Sequence, residues 1–258
     1  MSQTVRKKAQ DADDAAVEDK PTRKGIYIIP NLLTTANLFA GFFAIVQATN
    51  ANFESAAVAI FIALVMDGLD GRVARVTHAE SDFGTEYDSL VDMVSFGLTP
   101  ALVVYLWALQ GLGKLGWLGA FVYAAAVGLR LARFNTHKTH DTRYFQGLPC
   151  PAAAALVAGL VWAVTDYGMS GRAFEQGVWV LTVALGLAMV SNLRYRSFKD
   201  FDVRRRVRFV ATILVVLAIV LVVYDPARVL FALFALYFLS GPVTTFVRWR
   251  RGESPAES

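Results

Sequence analysis

The chain alternates long apolar stretches with short polar ones. Eight apolar stretches stand out, at about residues 32–50, 54–76, 84–109, 116–134, 151–167, 174–192, 208–224 and 227–247. Each has the length of a helix that crosses a bilayer, roughly 17–25 residues. A helix lets one segment satisfy its own backbone inside lipid. The pattern predicts an all-α fold, a polytopic membrane helix bundle of about eight transmembrane helices. A large soluble bundle is the alternative, but eight such stretches in 258 residues leave too little polar surface to face water. Residues 1–25 are polar, mixed in charge and poor in large apolar groups, as in a disordered tail. The closing "RRGESPAES" is a second short tail. The first apolar run starts too late, and is followed by too many others, for a cleavable signal peptide. The expected organisation is a cytoplasmic tail over 1–25, one membrane domain over 26–250 and a tail over 251–258, with no fixed-period repeat.

Composition sharpens this picture. Apolar residues make up 55% of the chain and charged residues 18%, against about 25% charged in an ordinary soluble domain. The basic residues then orient the helices. If the N-terminus is cytoplasmic and the stretches alternate, 22 of the 25 Lys and Arg residues fall on the cytoplasmic side. Six precede the first stretch. Arg72 and Arg75 follow the second, Arg130, Arg133, Lys138 and Arg143 the fourth, seven the sixth and three the eighth. Only Lys114, Arg172 and Arg228 face the other way. This is the positive-inside pattern, and it places both termini in the cytoplasm. The pI near 9.2 then reflects topology and contact with anionic lipid, not nucleic acid. The basic run 194–208 is read the same way. Cys150 is the only cysteine, so no intrachain disulfide forms.

One polar stretch breaks the pattern. "DGLDGRVARVTHAESDFGTEYDSLVD" places seven acids in the 26 residues from Asp67 to Asp92. Asp67 and Asp70 share a helix face, and Gly71 and Ala74 continue it. After a turn, Gly84, Asp88 and Asp92 recur every four residues on one face of the next helix. Glu80, Asp82 and Glu86 fit neither stripe and are assigned to the turn and solvent. Solvated acids at helix ends are the bland alternative. Yet an Asp in a spanning helix costs up to roughly 2.5–3.5 kcal/mol at mid-bilayer. Four unpaired ones would rival a net stability of roughly 5–15 kcal/mol. Arg72 and Arg75 can offset this in part. Clustered carboxylates without His or thiolate suit Mg²⁺ or Mn²⁺, and the small residues beside them leave room for a ligand. Mg²⁺ on carboxylates commonly serves phosphate chemistry.

The spacing Asp67-x2-Asp70-Gly71-x2-Ala74-Arg75-x8-Gly84-x3-Asp88-x3-Asp92 resembles the full signature of the CDP-alcohol phosphotransferases, with no departure from it. The resemblance implies an integral membrane enzyme that moves a phosphatidyl or related group from a CDP-linked donor to an alcohol and releases CMP. It implies that Asp67, Asp70 and Asp88 bind divalent metal, Mg²⁺ or Mn²⁺ and two ions, and that Asp92 binds metal or acts as the base. It also implies that Gly71, Ala74, Arg75 and Gly84 line the CDP site. More narrowly, "IPNLLTTANLFAGFFAI", "DMVSFGLTPA", "RLARFN" and "YFQGLPCPAAA" resemble the integral-membrane phosphatidylserine synthases of bacteria, from about Ile29 to Ala155. That implies CDP-diacylglycerol and L-serine as substrates, phosphatidylserine and CMP as products, and a bacterial inner-membrane location with the site facing the cytoplasm. Homodimers are expected from the resemblance alone.

Other residues carry two readings each. Arg130 and Arg133 are topology anchors or an anion pocket for the lipid phosphate or the serine carboxylate, and Arg133, with Asn135, is the one expected to select serine, its planar fork gripping the carboxylate in two places. Asn135 can bond the serine amine or carboxylate. Asn31 is a helix cap after Pro30 or, with Thr34, a nucleotide contact. Pro149 and Pro151 start the fifth helix. His78, His137 and His140 show no ligand spacing. The shared motif binds the donor, so glycerol 3-phosphate, inositol phosphate or another alcohol remains an alternative acceptor. A cation transporter is the competitor from another class. Transporter sites sit near the midplane on interrupted or repeated helices, whereas these acids lie on one consecutive helix pair near one face.

Overall fold

The computed structural model describes residues 28–77, 81–136, 144–196 and 209–250. The two tails, residues 26 and 27, His78, Glu80, His137, Lys138, His140, Arg143 and positions 197–208 of the basic run lie outside the described residues. Among the described residues, each predicted apolar stretch is mostly helical. The helices are α1 (Ile28–Thr49), α2 (Phe53–Thr77), α3 (Asp82–Asp92), α4 (Thr99–Trp107), α5 (Lys114–Thr136), α6 (Cys150–Asp166), α7 (Glu175–Val190), α8 (Phe209–Tyr224) and α9 (Pro226–Arg250). Between α3 and α4 the rod continues through a π-helical segment, Met93–Leu98. Five helical segments are long and apolar enough to cross a bilayer: Ile28–Thr49, Asp82–Trp107, Lys114–Thr136, Gly171–Val190 and Pro226–Thr245. Of the others, α6 has 17 residues and α8 has 16. The 25-residue α2 carries Asp67, Asp70, Arg72 and Arg75 in its second half.

Small residues set the packing. The buried stripe of α1 is Pro30, Thr34, Asn37, Ala40, Gly41, Ala44 and Ala48. Facing it, α2 buries Ala56, Ala57, Ala59, Ile60, Ala63 and Asp70. Side chains this short let backbones approach closely, which holds helices together where lipid removes most of the hydrophobic drive. Gly41 shows the limit: a Cβ there would stand 2.6 Å from Ser95 Oγ. Thr99 closes the same contact by donating to the Gly41 carbonyl at 3.2 Å. Large apolar side chains such as Phe39, Phe42, Leu118 and Phe121 point outward, as suits a lipid-facing surface.

The all-α architecture carries one addition without a sequence signal. Strands β1 (Tyr144–Gln146) and β2 (Arg194–Arg196) pair antiparallel, with Phe145 opposite Tyr195. Gly147 (φ +77°) makes the turn from β1 towards α6, and a Cβ there would meet the Met189 carbonyl oxygen at 2.3 Å. Tyr195 is fully buried, and its hydroxyl donates to the Phe238 carbonyl at 3.2 Å. The strand pair therefore ties the ends of α5, α6 and α7 to α9. Pro149 caps α6 and Pro151 lies in its first turn, as expected.

The bundle has two distinct ends. At one end Trp107 packs on Gly171, Trp179 Nε1 donates to the Leu115 carbonyl at 2.7 Å, and Arg228 pairs with Asp166 at 3.1 Å and with Asp225. Lys114, Arg172 and Arg228 all belong to this end. The opposite end gathers the start of α1, the end of α2, the start of α3, the end of α5 and the strand pair. Arg72, Arg75, Arg130 and Arg133 belong there, and so do the acids.

Candidate active site

Two helices bring the acids together. Asp67 and Asp70 sit one turn apart near the end of α2. Asp88 and Asp92 sit one turn apart in the second half of α3. One carboxylate oxygen from each of Asp67, Asp70 and Asp88 lies within 4.8 Å of the other two. Asp92 stands outside this triad, with its carboxyl at hydrogen-bonding range of Asp67. Asp70 is buried and accepts a hydrogen bond from Thr34 Oγ1 at 2.9 Å. Oδ1 of Asp88 and Oδ1 of Asp92 are buried with no partner. Asp82 and Glu86 are exposed, as expected.

Local sequence explains this placement. Ser81 caps α3 by accepting from the Gly84 amide at 3.0 Å, which fixes where the Gly84, Asp88 and Asp92 stripe begins. Gly84 faces α1: a Cβ there would lie in ordinary contact with Asn31 Oδ1, at 3.5 Å. The π segment begins directly after Asp92 and shifts the helix face by an extra residue in the turn. Within it Ser95 donates to the Asn37 carbonyl at 3.3 Å, which docks the rod of α3 and α4 on α1 one turn beyond Asp92.

Four carboxylates at this spacing repel one another unless positive charge lies among them. Among the described residues the ion pairs gather at Arg228, at the far end. Arg72 and Arg75, expected to offset the acids, are exposed and form no ion pair with them. Arg75 lies over Gly71 instead, within electrostatic reach of Asp70. The donors are all carboxylate oxygens, with no His or thiolate in the triad, and that set fits a hard divalent cation. Oxygens across a Mg²⁺ stand about 4.2 Å apart at most, at roughly 2.1 Å each. The triad's spread therefore needs only a small side-chain rotation to close on an ion.

The remaining expected residues divide. Thr34 contacts Asp70. Asn31 lies inside α1, since the helix already includes Ile28, so the capping reading is corrected: its Oδ1 faces Gly84. Gly71 has nothing but the Arg75 side chain near its missing Cβ, which leaves the space open. Ala74 is half-buried on the same helix face. Arg130 turns into the bundle, where Nε is buried without a partner and NH1 meets Cys150 Sγ at 3.5 Å. That thiol is within electrostatic reach of both Arg130 and Asp92. Arg133 is exposed and already engaged, donating to Gln146 Oε1 at 2.8 Å and Asn192 Oδ1 at 3.1 Å. Asn135 donates to Ser89 Oγ at 3.1 Å, joining the end of α5 to α3 beside Asp88. Sequence spacing missed Ser89, Gln146 and Asn192. Ser89 alone had a signal, its place next to Asp88.

Residues 27–190 match the CDP-alcohol phosphatidyltransferase family, a span that holds all four acids and both arginines. The chain belongs to this family. Relatives within it share a name. A CDP-diacylglycerol–serine O-phosphatidyltransferase from Helicobacter pylori (strain ATCC 700392 / 26695) is 36% identical over 225 residues, 87% of this chain and 92% of that protein. The protein of that name from Mycobacterium tuberculosis (strain CDC 1551 / Oshkosh) is 35% identical over 208 residues, 76% of this chain and 71% of its own length. The one from Bacillus subtilis (strain 168) is 33% identical over 171 residues, 66% of this chain and 91% of its own. In the Helicobacter case the similarity extends well past the family-defining acids.

Proposed function

We propose that this chain transfers the phosphatidyl group from CDP-diacylglycerol to L-serine, giving phosphatidylserine and CMP. The observation that carries this reading is the convergence of four acids from two helices with no ion pair to them among the described residues, in a chain similar over 87% of its length to a relative with that name. Asp67, Asp70 and Asp88 would hold the divalent cations, Mg²⁺ or Mn²⁺ and two ions. Once bound, these neutralise charge on the pyrophosphate and on the departing CMP oxygen.

The chain's own residues do the rest. Gly71 and Gly84, without side chains, admit the nucleotide between α2 and α3, with Ala74, Asn31 and Thr34 on the walls. Arg75, lying over Gly71, faces the donor phosphate. Asp92 accepts the serine hydroxyl proton as the serine oxygen bonds to the phosphatidyl phosphorus. The bond from that phosphorus to the CMP oxygen breaks, and CMP leaves with the electron pair. Arg130, with Nε unpartnered, grips the serine carboxylate, and Asn135 borders the acceptor side.

The reaction runs at the cytoplasmic face of a bacterial inner membrane. All eight apolar helical segments cross, and residues 26–250 act as one domain. Diacylglycerol tails stay in lipid while the head group meets the acids, and the cytoplasm supplies serine and receives CMP. Sided labelling tests this orientation, because Cys150 is buried and is the only cysteine. Arg172→Cys is expected to react with a membrane-impermeant maleimide on intact cells, and Glu86→Cys only after permeabilisation. The reverse pattern overturns the topology.

The activity itself is tested with purified protein, CDP-diacylglycerol and a panel of L-serine, glycerol 3-phosphate and inositol phosphate. CMP release is expected with serine, none in excess chelator, and recovery on adding Mg²⁺ or Mn²⁺. Release with another acceptor and none with serine overturns the acceptor. Full turnover in chelator overturns the metal. No release with any acceptor overturns the enzyme reading and favours the transporter.

A further inference from the structure

Asn37 is fully buried, and neither its Nδ2 nor its Oδ1 has a hydrogen-bond partner. A carboxamide left this way is costly, because its lost hydration is not replaced. Its companions on the α1 stripe are small, and an apolar side chain would fill the place without that cost. A polar group kept there points to a partner beyond the chain's own atoms.

The helix register shows where that partner sits. Thr34 donates to Asp70 at 2.9 Å. Only residues 50–52 join α1 to α2, so the two helices run antiparallel. One turn onward from Thr34 on α1 therefore stands against one turn back from Asp70 on α2, which sets Asn37 against Asp67. From the other side, Ser95 donates to the Asn37 carbonyl at 3.3 Å, and Ser95 lies one turn beyond Asp92. The register thus sets Asn37 on the side of the centre that Asp67 and Asp92 share, and Asp92 Oδ1 is likewise buried without a partner.

We propose that Asn37 is a further holding residue of the acidic centre. Its amide oxygen completes the oxygen set around a divalent cation on the Asp67–Asp92 side, directly or through one water. The inference rests on the metal reading given under the proposed function. An amide suits the position because a fifth carboxylate would add repulsion to four existing ones, whereas a neutral oxygen adds a donor and no charge. Outer-shell polar groups that orient or supplement metal ligands alter metal affinity by about 10–100-fold.

The test is Mn²⁺ titration of the full-length protein in detergent, without substrates, followed by electron paramagnetic resonance. Asn37→Leu, close in volume, is expected to weaken Mn²⁺ binding about tenfold or more. Its metal-free thermal midpoint should match or exceed that of the wild type, because the unpaired amide is gone. Asn37→Asp keeps an oxygen donor but adds a fifth carboxylate, so it should still bind Mn²⁺ while lowering the metal-free thermal midpoint. If leucine does not fit, Asn37→Ala repeats the titration. Unchanged Mn²⁺ affinity in Asn37→Leu or Asn37→Ala overturns the inference, as does a lower midpoint with affinity intact, which marks a structural role. Asp88→Asn run alongside separates the two readings. If it loses Mn²⁺ while Asn37→Leu keeps it, only the Asn37 inference falls. If the wild type binds no Mn²⁺, the metal reading falls and this one with it.

Discussion

Asp88→Asn is expected to lower CMP release by roughly a thousandfold and, in the same protein, to raise the metal-free thermal midpoint. The two effects have one cause. Asp88 Oδ1 is buried without a partner, and its carboxylate lies within 4.8 Å of Asp67 and Asp70. Without a cation that arrangement is repulsive, so removing one charge relieves the fold. With a cation, the same charge is a ligand, so removing it disables the centre. Asp70→Asn should lose turnover to a similar degree, because its amide oxygen can still accept from Thr34 and the helix contact survives. Thermal unfolding in chelator and CMP release in Mg²⁺, on the same preparations, check both halves. Retained turnover in both variants defeats the metal assignment. A lowered metal-free midpoint in Asp88→Asn means the acid has a structural partner that the geometry does not show.

Much of this was legible in the sequence, and the reasons are local. The eight apolar stretches are each continuous enough to mark a helix, because a lipid-facing helix needs apolar residues on all sides. The Asp67, Asp70, Gly84, Asp88 and Asp92 spacings mark one face on each of two adjacent helices, and a short turn leaves those faces little choice but to meet. What stayed hidden depends on contacts distant in sequence. The π segment Met93–Leu98 has no spacing signature; it follows from how Ser95 and Thr99 dock on α1. The Tyr144–Gln146 strand is three residues long and exists because β2 passes beside it. Asn31 read as a cap because Pro30 precedes it, but the helix starts earlier. Sequence singles out Arg133 for the serine carboxylate, but both arginines lie in the last two turns of α5 and differ in which way they turn, and Arg133 is the one already engaged by Gln146 and Asn192.

That inequality leads to the other large effect. Arg130→Met is expected to raise the KM for serine about a hundredfold, and Arg130→Lys about tenfold, with the KM for CDP-diacylglycerol nearly fixed. A serine carboxylate approaching four acids needs a permanent cation close by, and Arg130 is the arginine turned inwards. Its Nε is buried without a partner, its NH1 meets the Cys150 thiol, a weak acceptor easily outcompeted by a carboxylate, and Tyr237 lies within its electrostatic reach. Lysine keeps the charge but not the planar fork, so part of the grip survives. Arg133 differs because Gln146 and Asn192 already take its NH2 at 2.8 and 3.1 Å. Arg133→Lys should therefore leave the serine KM close to wild type and instead lower the thermal midpoint, by loosening the strand pair from α5. Steady-state kinetics with each substrate varied in turn separates the outcomes. A raised donor KM in Arg130→Lys assigns the guanidinium to the lipid phosphate. No change in either constant makes Arg130 a topology anchor. A serine KM that rises in Arg133→Lys but not in Arg130→Lys moves the acceptor site outward to the strand pair and overturns the assignment.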